Sequence, residues 1–512
     1  MLNVQRAQIF NEFSFEEQKK YFALKEKKVT HHIDTLYYSV SIKDDVVDNK
    51  DAGVIGLCGM LAEAKEKKQL DPSLELDFFG LDVSVTGFSI YQYHLVLNEN
   101  FDIFIAKNIP NEETPRVCVQ LRSRMLVLDG VCKAIEKSYY CVKEILGAFG
   151  LETGEIRENR IDYAFHTNII QNSINYFSDE YLLQHLKSQM RLFHKIGNIS
   201  DTVEINTLQL GNRKSNNIFF RAYNKTREVI EKNYKSFFFD KWLDDGLINQ
   251  YDYYVLNKAF EKKSFKMGLA IGRMEWYIEF GKNEALKTEF NSLIESCYVN
   301  SDNLDAVEKK IKGVLPKVTI VTNIEFQTKR RFYTSCEQFI KDHVFEFKGD
   351  AELYRLYKIL SLQREFCDYL TSKAVCFVDN KGQKSEKMSA WWQAVHRCKI
   401  EYCLPSVLEL YRDKDRAADV RRSKRKLMNC IAQYNILLKN DIGERTFSED
   451  ASDALAYLND NDFYGFANSP NGQAPIIYNS EYEYIQKRKA RQYRGVIKEK
   501  NEKEEEENES NS

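Results

Sequence analysis

Hydrophobic positions in the first two thirds of the chain recur mostly with the period of two that pleated strands require. Runs rich in aromatic and β-branched residues occupy residues 32–42, 76–106, 115–130, 160–167, 218–225, 273–280 and 319–332. Helical spacing covers residues 53–68, 133–149 and 179–195. Gly150 follows the second of these segments, where glycine readily takes the left-handed capping conformation. The pattern predicts an α+β fold centred on an antiparallel sheet.

Beyond residue 335 the spacing becomes mostly helical, with long charged segments. At 512 residues the chain is too long for one ordinary core. We therefore predict a helical extension at residues 1–27, a sheet domain at 28–335, a mostly helical domain at 336–497 and a disordered acidic tail at 498–512.

The net charge of −2 hides an uneven distribution. Residues 499–512 contain seven Glu and two Lys, a local charge of −5 that leaves +3 for the rest of the chain. The 11 cysteines are scattered without a Cys-x-x-Cys pair, which argues against a zinc ribbon or a disulfide framework. We find no signal-peptide pattern and no apolar run of membrane length. We expect a cytoplasmic protein without a membrane partner.

Residues 211–228, GNRKSNNIFFRAYNKTRE, place a tyrosine among phosphate-binding side chains. On a strand, Arg221, Tyr223 and Lys225 share one face. Two cations beside a phenol draw it toward the phenolate and neutralise an approaching phosphate. The pattern predicts tyrosine attack on a phosphodiester.

The pattern G-N-R-x-S followed by R-x-Y-N-K-x-x-E resembles the Rep_trans family, the replication initiation factors of rolling-circle plasmids and the related relaxases of integrative elements. Two further blocks support the resemblance: residues 160–162, R-I-D, and residues 273–275, R-x-E, which we assign to strands. The resemblance spans roughly residues 28–331 and implies an antiparallel-sheet nicking domain. Tyr223 would then be the nucleophile, forming a 5′-phosphotyrosyl intermediate at a replication origin, with Arg221 and Lys225 neutralising the phosphate.

A nickase of this kind implies a divalent cation, Mg²⁺ or Mn²⁺, held by oxygen ligands. Asp162 and Glu275 are the first candidate ligands, and Glu279 and His166 the second. The family often has an acidic residue at the position of His166. Asp162 and Glu275 could instead form structural ion pairs with Arg160 and Arg273.

Phosphate contacts are expected from a second group of polar residues. These are Arg213, Lys214 and Ser215, in a turn before the Tyr223 strand, together with Arg160 and Arg273. The expected partners are duplex and single-stranded origin DNA, with a host helicase and a second copy of the chain as further candidates. Two alternatives remain open: a conjugative relaxase with the same chemistry, and a non-catalytic DNA-binding regulator.

Overall fold

The computed structural model describes residues 8–400 and position 452. Short gaps within that range fall at 24, 44–50, 98–99, 112–113, 191, 199–203, 234, 300–303, 348 and 383–384. Among the helices in this part of the chain, none combines the length and apolar character needed to cross a membrane.

An antiparallel sheet of 11 strands forms the centre of the fold, in the order β2-β3-β4-β5-β6-β1-β7-β12-β11-β10-β9. The strands are β1 Val29–Ile42, β2 Asp77–Phe78, β3 Leu81–Val83, β4 Tyr93–Leu97, β5 Phe101–Ile105, β6 Val117–Leu121, β7 Thr153–Thr167, β8 Leu186–Ser188, β9 Leu192–Asn198, β10 Glu204–Leu210, β11 Ile218–Asn224, β12 Thr322–Lys329 and β13 Val375–Phe377. Strands β8 and β13 form a separate pair.

Helices surround this sheet. They are α1 Phe15–Tyr21, α2 Ala52–Leu70, α3 Ser123–Leu128, α4 Val131–Ala148, α5 Ile174–Phe177, α6 Asp179–His185, α7 Lys225–Glu228, α8 Phe237–Asp244, α9 Gln250–Glu261, α10 Lys266–Phe280, α11 Glu284–Val299, α12 Leu304–Ile311, α13 Arg330–Thr334, α14 Glu337–Asp342, α15 Tyr354–Ser361, α16 Gln363–Tyr369 and α17 Ala390–His396. Short 3₁₀ turns lie at Gln8–Glu12 and Ala351–Leu353, and π-helical turns at Val229–Asn233 and Leu370–Ala374. The predicted α+β class and its antiparallel sheet are confirmed.

Residue alternation on the central strands separates an apolar face from a polar one. On β12, Ile324 and Phe326 belong to the largest hydrophobic core, whereas Asn323, Glu325 and Gln327 are buried polar residues between them in sequence. The strand β12 lies between β7 and β11, with Gln327 opposite Asp162 and Asn323 opposite Tyr223. The polar residues of three neighbouring strands therefore meet on one face of the sheet.

Three predicted elements differ from the structure. Residues 273–280 are not a strand but the end of helix α10, since Ala270, Ile271, Met274 and Tyr277 recur at helical spacing and are buried. The helix predicted over 179–195 ends at His185, and β8 and β9 follow. The strand predicted within 115–130 ends at Leu121 and is followed by α3.

The chain divides into two compact units, residues 1–413 and 414–512, and the predicted division at residue 335 stays a prediction. Phe339, Leu356, Phe366 and Trp392, from α14 to α17, belong to the same core as the central strands. Most of the predicted 336–497 domain, and all of the 498–512 tail, lie outside the described residues.

Candidate functional site

Tyr223 lies near the end of β11, with 7% of its surface exposed. Its hydroxyl accepts hydrogen bonds from Nδ2 of Asn323 at 2.9 Å and from Nζ of Lys225 at 3.3 Å. It donates to Oε2 of Glu325 at 3.2 Å. The guanidinium of Arg221 lies over the phenol ring, 4.7 Å from its centroid. The structure therefore brings Arg221, Tyr223 and Lys225 together, with Lys225 reaching the hydroxyl from the first residue of α7.

Glu325 contacts three members of this group of side chains, the Tyr223 cluster, which consists of Arg221, Tyr223, Lys225, Asn323 and Glu325. The sequence analysis did not identify Glu325. Its Oε2 atom accepts hydrogen bonds from Nη2 of Arg221 at 2.8 Å, from Tyr223 and from Asn323. The carboxylate is almost completely buried. In the sequence, Glu325 is visible only as the single acidic residue of the alternating segment NIEFQTK, residues 323–329. Its position next to Tyr223 follows from the register of β12 beside β11.

Burial raises the pKa of the Tyr223 phenol above its ordinary value, although Lys225 and Arg221 act to lower it. The expected attraction toward the phenolate is therefore outweighed by burial in this arrangement. The phenol keeps its proton and presents it to Glu325.

Lys225 stays charged despite being buried. Burial acts to lower its pKa, but Asp34 and Glu228 act in the opposite direction and the pKa lies above its ordinary value. Its Nζ atom lies 2.7 Å from Oε2 of Glu228 and 3.8 Å from Oδ1 of Asp34. The cluster therefore holds a permanent cation at hydrogen-bonding distance from the Tyr223 hydroxyl.

Asp162 forms a bidentate ion pair with Arg160, which lies two residues before it on β7. Nε of Arg160 donates to Oδ1 at 2.8 Å, and its Nη2 donates to Oδ2. Burial raises the pKa of Asp162 to about 6 even with Arg160 beside it. Both carboxylate oxygens accept hydrogen bonds from Arg160, so a metal ion would have to compete with Arg160 for them.

His166, further along β7, is buried beneath α8. Nε1 of Trp242 donates to its Nδ1 atom at 2.9 Å. Because an indole nitrogen can only donate, the neutral imidazole carries its own hydrogen on Nε2 and offers no lone pair there to a metal. Burial keeps the pKa of His166 well below its usual range, so the ring stays neutral.

The R-x-E block lies on α10, and the described contacts of Arg273 and Glu275 are with residues outside the Tyr223 cluster. Glu275 accepts from Nζ of Lys262 at 2.8 Å, and Glu279 accepts from the hydroxyl of Tyr254 at 2.7 Å. Arg273 pairs with Glu308 at 3.0 Å and donates to the carbonyls of residues 315 and 316. These contacts join Arg273, Glu275 and Glu279 to α9, to α12 and to the segment that follows α12.

The turn between β10 and β11 reaches the edge of the Tyr223 cluster. Nε of Arg213 donates to Oε1 of Gln327 at 3.2 Å, two residues from Glu325 on the polar face. Lys214 and Ser215 are exposed, and Nζ of Lys329 donates to the carbonyls of residues 213 and 214. Arg213 therefore joins Arg160 and Arg221 near this face.

No set of three or more His, Cys, Asp or Glu side chains is arranged to hold a metal ion in the described part of the chain. The oxygens of Asp162 are engaged, Glu275 and Glu279 are on another helix, and His166 presents N–H. The described side chains, as arranged, do not fit the divalent ion that the resemblance implies.

Comparison with known proteins gives one similar structure. No family model matches the chain, and no curated protein matches it. The rolling circle replication initiator protein from Geobacillus stearothermophilus is similar over 73% of this chain and 100% of its own, with 12% identity and a TM-score of 0.34.

Proposed function

We propose that this protein is a rolling-circle replication initiator that binds an origin and nicks one DNA strand through Tyr223. The observation that carries the proposal is the set of partners around the Tyr223 hydroxyl: Glu325 as acceptor, with Lys225 and Asn323 as donors. A nucleophilic hydroxyl needs a base within hydrogen-bond reach and cations where negative charge develops. By its resemblance, the R-x-Y-N-K-x-x-E pattern would align the same tyrosine with the nucleophile of the Rep_trans family.

The proposed reaction starts at the hydroxyl. The oxygen of Tyr223 attacks the phosphorus of one phosphodiester while its proton moves to Oε2 of Glu325. The new bond to phosphorus forms as the bond to the 3′ oxygen breaks. That oxygen takes a proton from water and leaves as a 3′-hydroxyl, which primes leading-strand synthesis. The 5′ end stays attached to Tyr223 as a phosphotyrosine.

Arg221 and Lys225 neutralise the charge that builds up on the phosphate oxygens. Because Tyr223 is only 7% exposed, DNA binding has to uncover the hydroxyl before attack. Mg²⁺ or Mn²⁺ remains the proposed cofactor, with Asp162 as its first proposed ligand.

Origin DNA is the proposed partner, both as duplex and as the single strand that is nicked. The resemblance adds a host helicase and a second copy of the chain as candidate partners.

A non-catalytic DNA-binding regulator is the second candidate function. The ion pair that occupies both oxygens of Asp162 and the protonated, buried phenol of Tyr223 favour it. Detection of a covalent protein–DNA adduct separates the two functions.

Tyr223→Phe tests the proposal, with Tyr163→Phe as the matched control. Tyr163 is a buried tyrosine on β7 that belongs to the core on the opposite face, and its hydroxyl bonds that of Tyr333 at 3.1 Å. With a labelled single-stranded oligonucleotide library, wild type and Tyr163→Phe should give an adduct on a denaturing gel. Tyr223→Phe should give none, because it lacks the attacking oxygen. An adduct at the wild-type level in Tyr223→Phe would show that another residue is the nucleophile.

A further inference from the structure

A basic pocket of about 370 Å³ opens between β1, β6 and the segment that follows Tyr223. Four of its eight lining residues are cations: Arg122, Arg124, Lys232 and Lys235. The other four are uncharged polar residues, so the described part of the lining has no acidic, aromatic or aliphatic side chain. Such a lining favours a compact anion over a metal ion, an apolar ligand or a stacked base.

The charge of the pocket is only partly compensated. Arg122 is neutralised by Asp102, to which it donates two hydrogen bonds of 2.6 Å. Arg124, Lys232 and Lys235 form no ion pair within the part of the chain that the structure describes. Nζ of Lys235 donates to the neutral hydroxyl of Ser123 at 2.7 Å. Arg124 and Lys232 are therefore available to an anion, and Lys235 adds a third cation on which Asp34 and Glu228 already act.

The pocket adjoins the Tyr223 cluster. Thr35, at its wall, lies opposite Asp162 in the pairing of β1 with β7. Burial lowers the pKa of Lys235, whereas Asp34 and Glu228 act to raise it and Lys225 and Arg122 to lower it. Lys225 in turn donates to the hydroxyl of Tyr223. An anion in the pocket would therefore lie close to Lys235 and, through the charge of Lys235, act on Lys225, which contacts the proposed nucleophile.

We propose that this pocket binds one phosphate of the single strand that is nicked, adjacent to the phosphate attacked by Tyr223. The proposal rests on the proposed function for the identity of the strand. Arg124 and Lys232 supply the exposed charges and Lys235 the half-buried one. The pocket holds the backbone in register, while base identity is read elsewhere.

The double variant Arg124→Gln, Lys232→Gln tests the site by fluorescence anisotropy with a labelled single-stranded oligonucleotide. Both side chains are exposed, so the substitutions leave the core intact. The matched control is Lys309→Gln, Lys310→Gln, which removes two charges from exposed positions on α12. All proteins carry Tyr223→Phe, so that affinity is measured without adduct formation.

Loss of two phosphate contacts should flatten the slope of log affinity against log salt by about 1.4 and lower affinity at least about tenfold at 0.1 M salt. The control pair should change neither quantity to that extent. Equal affinity and slope in the two double variants would overturn the proposal.

A second arm locates the phosphate on the strand. Neutral methylphosphonates are placed one position at a time in the oligonucleotide. At one position the methylphosphonate should weaken DNA binding by the protein with the intact pocket. At the same position it should not weaken binding by the pocket variant, because the methylphosphonate and the protein substitutions remove the same contact. Additive losses at every position would also overturn the proposal.

A third arm separates DNA from free phosphate. Inorganic phosphate is titrated by calorimetry into the same proteins. Phosphate binding that the pocket variant loses, together with unchanged DNA affinity, would identify a free-anion site and reject the DNA role. If wild type forms no adduct but the affinity loss occurs, the nicking function fails and the pocket remains a strand-binding site.

Discussion

At the scale of single residues, the proton of Tyr223 decides how the site can work. A buried phenol whose pKa is raised cannot ionise by itself near neutral pH, so attack on phosphorus needs an acceptor for its proton. Glu325 is the carboxylate in position, at 3.2 Å from the hydroxyl oxygen. In the proposed reaction, Arg221, Lys225 and Asn323 would stabilise charge and orient the hydroxyl.

Glu325→Gln should lower the rate of adduct formation by about 10²–10⁴-fold, the range for loss of a general base. Affinity for single-stranded DNA should stay within about twofold, because the amide keeps the shape of the side chain. Glu158→Gln is the matched control, since Glu158 is also a buried carboxylate paired with an arginine, Arg355. Single-turnover adduct formation on a fixed oligonucleotide measures both. Equal rates in the two variants would remove Glu325 from the reaction.

Asp162 is both a proposed metal ligand and the partner of Arg160, which binds both of its carboxylate oxygens. The resemblance implies a metal-dependent nickase, so we expect adduct formation to be lost in EDTA and restored by Mg²⁺ or Mn²⁺. Asp162→Asn should then require more Mn²⁺ for half-maximal activity than wild type. Full activity in EDTA, with a normal rate in Asp162→Asn, would leave Asp162 only its structural ion pair.

At the scale of elements, the sequence predicted the sheet and the Tyr223 strand but not the neighbours of that strand. Residues 218–224 alternate clearly, and the strand forms as expected. Glu325 was not identified because its strand pairs with β11 across about 100 intervening residues, most of them helical. Strand register of that kind is set by tertiary packing and leaves no local signal.

For helix α10, the local sequence pattern predicted the wrong element. Residues 273–280 alternate polar and apolar side chains, as a strand would, and short runs of this length are ambiguous between the two structures. Packing decides the outcome, since Gly268 and Gly272 allow α10 to lie directly against α9. A methyl group at Gly268 would lie 2.7 Å from the Cα atom of Ala259.

Gly268→Ala should therefore destabilise the protein by about 1–3 kcal/mol, although alanine favours helices, because the contact leaves no room for the methyl group. The matched control is Gly59→Ala in α2, where an added methyl group has no neighbour within 4 Å and should stabilise by up to about 1 kcal/mol. Urea denaturation gives the free energy of unfolding of each variant. A Gly268→Ala protein as stable as Gly59→Ala would contradict the close packing of α9 and α10.

At the scale of the whole molecule, the net charge of −2 conceals a separation of charge along the chain. On the polar face of the sheet Arg160 and Arg221 are paired with Asp162 and Glu325, whereas Arg124 and Lys232 at the adjacent pocket form no ion pair within the described residues. Residues 499–512 carry −5. A DNA-binding surface therefore has to be sought in the distribution of charge, because the total gives no sign of it.

A second basic segment, residues 416–426, RAADVRRSKRK, lies outside the described residues, and its role is predicted from sequence alone. The variant replaces five of its residues with glutamine: Arg421, Arg422, Lys424, Arg425 and Lys426. If these cations contact phosphates of duplex DNA, each lost contact should flatten the salt slope by about 0.9, and affinity should fall alike for origin and scrambled duplexes. Sequence preference should persist, because phosphates carry no base identity. Anisotropy across a salt series measures both quantities, and an unchanged slope would assign the segment to a solvated surface.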